Sequence, residues 1–357
     1  MSSYIDLYKE AKSLLKKLQK KNCFQKFTTK DFFYFMDEKS RGILVFSEHL
    51  YKDGFGIQLF LNDDGLNYLH DILSTSEDMP INYFYSNCLL LGFIPKKDLL
   101  DDDLKFLRKN HIKLSQDYNL IPIKFKEGYG KSLMTKSDLN IAINYLYYIY
   151  ALVCNDKEAV DMALENELTP LAIFNNEEMT YSVQYIGLPK LEQMPKYKPV
   201  RKDIVDDLKD NVFIDDTCYF YHTYFPAKVT NNDSYKTMVV TYYPKLDKFN
   251  YVLLDAEPSK IDQYFMGYID ELFNEFGKPV NVLFNHRKLY SIAYKTLNKL
   301  NIDVKYNREN GELDHKVLDL LVESAKAELD IATDDVEDDY EVEEDFEIDE
   351  ESDLFIA

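Results

Sequence analysis

From Ala327 to Ala357 the sequence holds sixteen carboxylates and no Lys or Arg, and this limits how much of the chain can join a folded body. A like-charge block this dense repels itself and buries too little apolar surface to offset the ordering of its backbone. The pattern predicts disorder from about Thr333 onward and an acidic tail over 330–357. Only −5 of the formal −21 then falls on the other 326 residues. Val336, Tyr340, Val342, Phe346, Ile348, Leu354, Phe355 and Ile356 interrupt the acids. Such alternation suits a segment that docks on a partner, the plainer reading being a solubilising tail.

The opposite end is basic. In the first thirty residues Lys9, Lys12, Lys16, Lys17, Lys20, Lys21, Lys26 and Lys30 face only Asp6 and Glu10, a net +6. Tyr4, Leu7, Tyr8, Ala11, Leu14, Leu15 and Leu18 recur at helical spacing, which predicts an amphipathic helix over 3–21 with a lysine face. A second basic stretch, Lys190, Lys196, Lys198, Arg201 and Lys202, lies among Pro189, Pro195 and Pro199 and reads as an extended linker. The remaining composition, 46% hydrophobic and 29% charged, is that of a globular chain of about two domains. Without a membrane-length apolar run or a signal-peptide core, the expected location is the cytoplasm. Cys23, Cys88, Cys154 and Cys218 are far apart and predict reduced thiols, with no zinc or redox motif.

Between these ends the elements fall into two groups. Ile43–Phe46 and Phe55–Phe60 read as strands joined through Lys52-Asp53-Gly54, and Cys88–Ile94 and Ile121–Phe125 as further strands. Asn62-Asp63-Asp64-Gly65 caps a short helix. Asp101, Asp102 and Asp103 open another, where carboxylates complement the helix dipole. Thr135 and Asp138 make a capping box for a long helix ending near 155. A helical connector, a possible strand at Tyr181–Ile186 and the proline linker fill 156–215. Then Tyr219–Phe225, Thr237–Tyr243 and Asn250–Leu254 read as antiparallel strands. They are followed by helix 259–276, strand Val280–Phe284, helix 287–300, strand Ile302–Tyr306 and helix 313–328. The expected fold is a basic helix over 1–30, an α+β domain over 31–155, an α/β mixed-sheet domain over 216–329 with ribonuclease-H-like element order, and the disordered tail.

Particular residues also carry a resemblance. Gly54-Phe55-Gly56-Ile57-Gln58-Leu59-Phe60, Asp64-Gly65-Leu66, Asp98-Leu99, Asp102-Asp103-Leu104-Lys105, Pro122, and Gly128-Tyr129 ahead of Thr135 belong to it. So do Gly277-Lys278-Pro279-Val280 and Leu300-Asn301-Ile302-Asp303-Val304. Over roughly residues 30–320 the chain resembles a family of uncharacterised bacterial two-domain proteins, many with a cysteine-rich SEC-C metal-binding tail. Here an acidic tail replaces it, and Lys131 and Ser132 stand where those proteins tend to Pro-Trp. The resemblance implies an architecture and no activity.

Several chemistries are almost present. Gly130-Lys131-Ser132 looks like the end of a phosphate-binding loop, but Phe125 stands where the first glycine is needed. A two-metal nuclease of ribonuclease-H-like fold needs carboxylates on the first strand, the first helix and the end of the fourth strand. Strand 218–225 has none, and Asn285 and His286 end the fourth. The catalytic candidates are therefore Asp215, Asp216, Glu271, His286 and Asp314, with Glu275 and Asp319 as solvated helical acids. The six histidines form no HxxxH pair, and neither Glu48-His49 nor Ser13 with Lys16 makes a nucleophile arrangement. No cofactor or metal is expected. The expected function is a non-enzymatic interaction or regulatory protein that uses its acidic tail on a basic protein partner or on its own basic surface. The binding residues would be Lys12, Lys16, Lys20, Lys196, Lys198, Arg201 and Lys202, with Tyr340, Phe346 and Phe355 in the tail. The alternative is a ribonuclease-H-like nucleic-acid binder or nuclease, disfavoured by a body of −5 because phosphate binding needs concentrated Lys and Arg.

Overall fold

A computed structural model describes residues 3–308, other than 39, 51–53, 75–85, 176–179, 188, 193–194, 230–232 and 255, and also residue 319. It opens with α1 (Tyr4–Lys20), whose start is fixed by a reciprocal cap: Ser3 N donates to Asp6 Oδ2 at 2.9 Å, and Asp6 N donates to Ser3 Oγ at 3.2 Å. Leu7, Ala11, Leu14, Leu15 and Leu18 are buried on one side of it. The short α2 (Cys23–Lys26) then leads to β1 (Phe32–Met36), β2 (Arg41–Leu50) and β3 (Gly54–Leu61). α3 (Asn62–Ser74), β4 (Cys88–Pro95), α4 (Asp101–Lys109), β5 (Tyr118–Lys126), β6 (Gly130–Leu133) and α5 (Lys136–Asn155) follow. The expected box at α5 is present, with Thr135 Oγ1 donating to Asp138 Oδ2 at 2.7 Å.

The segment expected as a connector does more than connect. After α6 (Lys157–Glu165), β7 (Thr169–Asn175) pairs parallel with β1, and β8 (Thr180–Ile186) adds to β7 antiparallel. The first sheet therefore has the order β6-β5-β4-β3-β2-β1-β7-β8, every other neighbour pair being antiparallel. Its two faces bury separate cores. Phe33, Phe35, Leu44, Phe46, Ile57 and Leu59 pack with α1, α2, α4, α5 and α6, while Phe32, Tyr34, Ile43, Val45 and Phe60 pack with Leu66 and Leu69 of α3 and with Leu191. This is the two-fold alternation of a sheet covered on both sides.

Beyond α7 (Lys202–Leu208), β9 (Phe213–Lys228), β10 (Tyr235–Tyr243) and β11 (Lys248–Leu254) pair antiparallel. After α8 (Ile261–Phe276), β12 (Lys278–Phe284) lies parallel to β9. After α9 (Arg287–Lys299), β13 (Asp303–Tyr306) lies parallel to β12. The order is β11-β10-β9-β12-β13. α7, α8 and α9 touch one another and cover one face, burying Cys218, Phe220, Val239, Tyr243, Val282 and Phe284. Lys278, 2% exposed, donates from Nζ to Lys209 O at 2.9 Å, placing its charge at the negative end of α7. The first strand is longer than the sequence pattern suggests and includes Asp215 and Asp216.

Both sheets belong to one compact unit, Met1–Glu309. The tail, with Tyr340, Phe346 and Phe355, lies outside the described residues, as do Asp314 and all of the expected final helix except Asp319, which is helical and exposed. Among the described residues no helix is long and apolar enough to cross a membrane.

Candidate functional site

β9 runs on past the end of β12. Phe220 lies beside Phe284, and the ladder from Tyr224–Thr237 to Lys228–Tyr235 overhangs the sheet. That overhang meets the turn between β5 and β6. Gly128 there has φ +75, and a Cβ on it would stand 2.5 Å from Pro258 Cγ and 3.0 Å from the Tyr224 ring. Glycine is required both by the left-handed backbone and by the close approach. The contact is sealed by Tyr235 N donating to Gly128 O at 2.7 Å.

Next to that glycine the carboxylate of Glu127 enters the second half of the molecule. It accepts from Tyr224 Oη at 2.9 Å and lies 3.3 Å from His286 Nε2. Burial alone would raise its pKa, but the His286 hydrogen bond and the charges of His286 and Lys288 outweigh it and hold the carboxyl at about 2. His286, two residues beyond β12 at the cap of α9, stacks on His222 of β9 with ring centroids 4.0 Å apart and planes at 11°. His222 is 0% exposed, and burial, then the nearby charges of His286 and Lys288, press its pKa well below the ordinary 6.5. Lys288, lowered mainly by burial, donates to Pro258 O. Asp64 of α3 is raised by burial and by Glu127. Alongside, Arg287 NH1 donates to Glu192 Oε1 at 3.1 Å, while Asp71 of α3 lies 3.7 Å from Arg287 and 3.3 Å from Arg308.

This is a charged seam. Acids from the first half, Asp64, Asp71 and Glu127, face bases from the second half at the carboxyl ends of its parallel strands. In open sheets with parallel strands, that end is where ligands are received.

The sequence candidates fare unequally. His286 is in the seam. Asp216, 5% exposed, accepts from the backbone N–H groups of Thr217 (2.7 Å), Lys245 (3.0 Å) and Leu246 (3.2 Å), so it anchors the turn between β10 and β11. Asp215 is exposed and pairs with Lys245 at 2.7 Å. Glu271 sits on the exposed side of α8. Asn285 Oδ1 accepts from His222 N at 2.8 Å, so the side chain at the end of the fourth strand extends the β9–β12 pairing. Among the described residues no three His, Cys, Asp or Glu side chains gather as a metal site. Lys131 and Ser132 lie on β6, a strand hairpinned to β5, with Lys131 Nζ 3.2 Å from Asp103.

The basic candidates also divide. Lys196 pairs with Asp63 (3.4 Å), Lys198 with Asp262 (3.0 Å) and Arg201 with Asp203 (2.6 Å), so the linker's charge is largely internal, with Lys202 exposed at the start of α7. Lys12, Lys16 and Lys20 of α1 form no ion pair among the described residues. Lys12 is lowered by burial and then by Lys16.

Residues 6–171 match a family model described as Domain of unknown function (DUF7309). The match starts in α1 and stops inside β7, so it spans most of the first sheet and includes Asp64, Asp71 and Glu127 of the seam. No curated protein and no solved structure matches the chain.

Glu127, His222, Tyr224 and Lys288 were not singled out by sequence reasoning. The signal for the histidine stack lies in the register: with Phe220 beside Phe284 in parallel strands, position 222 falls beside 286.

Proposed function

We propose that the protein is a non-enzymatic cytoplasmic interaction protein whose acidic tail binds a basic surface, its own or a protein partner's. The single observation carrying this reading is the α1 stripe. Lys12, Lys16 and Lys20 recur every fourth residue, Lys16 and Lys20 are exposed, and no described carboxylate pairs with them, while the linker cations are mostly paired. A segment with sixteen carboxylates in the same chain is complementary to that stripe at high effective concentration. Each exposed pair contributes only about 0.2–1 kcal/mol and is screened by salt, so the contact is reversible and displaceable. The bacterial two-domain relatives suggested by the motifs belong to the same reading.

Retention on heparin at low salt tests it. Removing residues 327–357 is expected to increase retention, and changing Lys12, Lys16 and Lys20 to Glu in the shortened protein is expected to abolish the gain. Equal retention of full-length and shortened protein would sink the self-docking form of the proposal.

A second reading takes the second half as a ribonuclease-H-like nucleic-acid binder, and the strand order β11-β10-β9-β12-β13 supports it. Nuclease activity is not expected of it, because Asn285 and Asp216 are engaged by backbone N–H groups and His222 stands in mid-strand. Mg²⁺-dependent cleavage of RNA or DNA that disappears in Glu271→Gln would overturn that expectation.

A further inference from the structure

A cleft of about 600 Å³ opens beside the seam, where β12 and β13 end and α9 begins. Its size lies within the range of small-molecule sites. Rings from three separate segments converge on it. Tyr290 of α9 and Tyr306 of β13 have centroids 6.0 Å apart at 37°, and Tyr197 of the linker stands 5.9 Å from Tyr290 at 71°. Arg287, its side chain 13% exposed, lies with its guanidinium carbon 5.2 Å from the Tyr306 centroid. Glu192, Asn307 and Lys305, whose Nζ pairs with Asp303 at 2.9 Å, also line it.

Three tyrosines, Tyr197 among them with one face stacked on Tyr294 at 4.5 Å and 28°, and a guanidinium fixed against Tyr306 make a composite recognition surface. The rings can stack a planar heterocycle, and Arg287 can take an anion. We propose that this cleft binds a nucleoside monophosphate, with the base among the tyrosines and the phosphate on Arg287. The carboxylate now on Arg287 NH1 is Glu192, whose side chain is 47% exposed. An ion pair with so exposed a partner is weak, whereas a phosphate can take two guanidinium N–H groups at once. The phosphate therefore displaces Glu192, while Asp71 stays on the other side of the guanidinium and fixes its orientation. Neither the tail nor α1 is part of this site, so it stands apart from the reading given above.

Calorimetric titration of the full-length protein with AMP, adenosine and inorganic phosphate tests the assignment. AMP is expected to bind, and adenosine and phosphate each to bind at least about tenfold more weakly, since each keeps one half of the contacts. Tyr197→Ala, a change in the linker outside the buried core, is expected to weaken AMP about tenfold. Glu192→Gln is expected to tighten AMP by removing the competing carboxylate. No heat with AMP at millimolar concentration, phosphate binding as tightly as AMP, or AMP binding indifferent to both substitutions would each overturn the proposal.

Discussion

Asp216→Ala should destabilise the protein by about 1–3 kcal/mol in urea unfolding, because it removes the buried carboxylate that the N–H groups of the β10–β11 turn use to hold that turn to β9. The carboxylate serves the N–H groups of Thr217, Lys245 and Leu246 from a position 5% exposed. Asp216→Asn keeps one oxygen for one side of the turn and should cost roughly half as much. Asp215→Ala should be silent, since that carboxylate is 91% exposed and meets only Lys245. The trio separates a structural aspartate from a catalytic one, because a catalytic residue in a solvated site can be removed with little loss of stability. Unchanged urea midpoints in Asp216→Ala would contradict the anchoring role.

Acidification should act first through His222. Its pKa is depressed in the folded state, so the unfolded chain binds the proton more readily. The stability associated with the neutral ring is complete above the ordinary 6.5 and declines as pH falls below it. For a single proton the slope cannot exceed about 1.4 kcal/mol per pH unit. Glu127 contributes a later phase. Its carboxylate is stabilised in the fold, so that contribution is present above 4.5 and is lost between 4.5 and about 2. The groups facing His222 are His286, Tyr224 and Lys288, with Glu127 behind His286. His222→Phe keeps a ring for the stack and removes the proton site. Its stability should be flatter than wild type between pH 6.5 and 5, and parallel pH profiles of the two proteins would refute the assignment.

The second sheet was legible because its strands are short, apolar and separated by helices with clear 3.6-residue periodicity. Three hairpin-spaced runs before 255 and two helix-linked runs after it match the observed strands. β7 was not legible, since Thr169–Asn175 offers no alternation and its partner β1 lies far back in the chain. The expected first strand, Tyr219–Phe225, starts after Asp215 and Asp216, since acids are disfavoured in strands. In the fold the tertiary contact from Asp216 to the β10–β11 turn outweighs that local preference. The seam was hidden for a different reason. His286 is a candidate in the sequence, but Glu127 and His222 are ordinary singly, and only the register of β9 on β12 and the overhang of β9 onto Gly128 bring the three together.

The parallel pairing of β1 with β7 also sets an order of events during synthesis. Phe32, Phe33, Tyr34 and Phe35 leave the ribosome early, yet the strand that covers their open edge is made only after α5 and α6. Until then a row of aromatic residues offers unpaired N–H and C=O groups to any neighbouring chain. A fragment cut at the end of α5 keeps this edge bare permanently, and one that continues through β8 closes it, so any self-contained piece of the first half must run at least through Ile186.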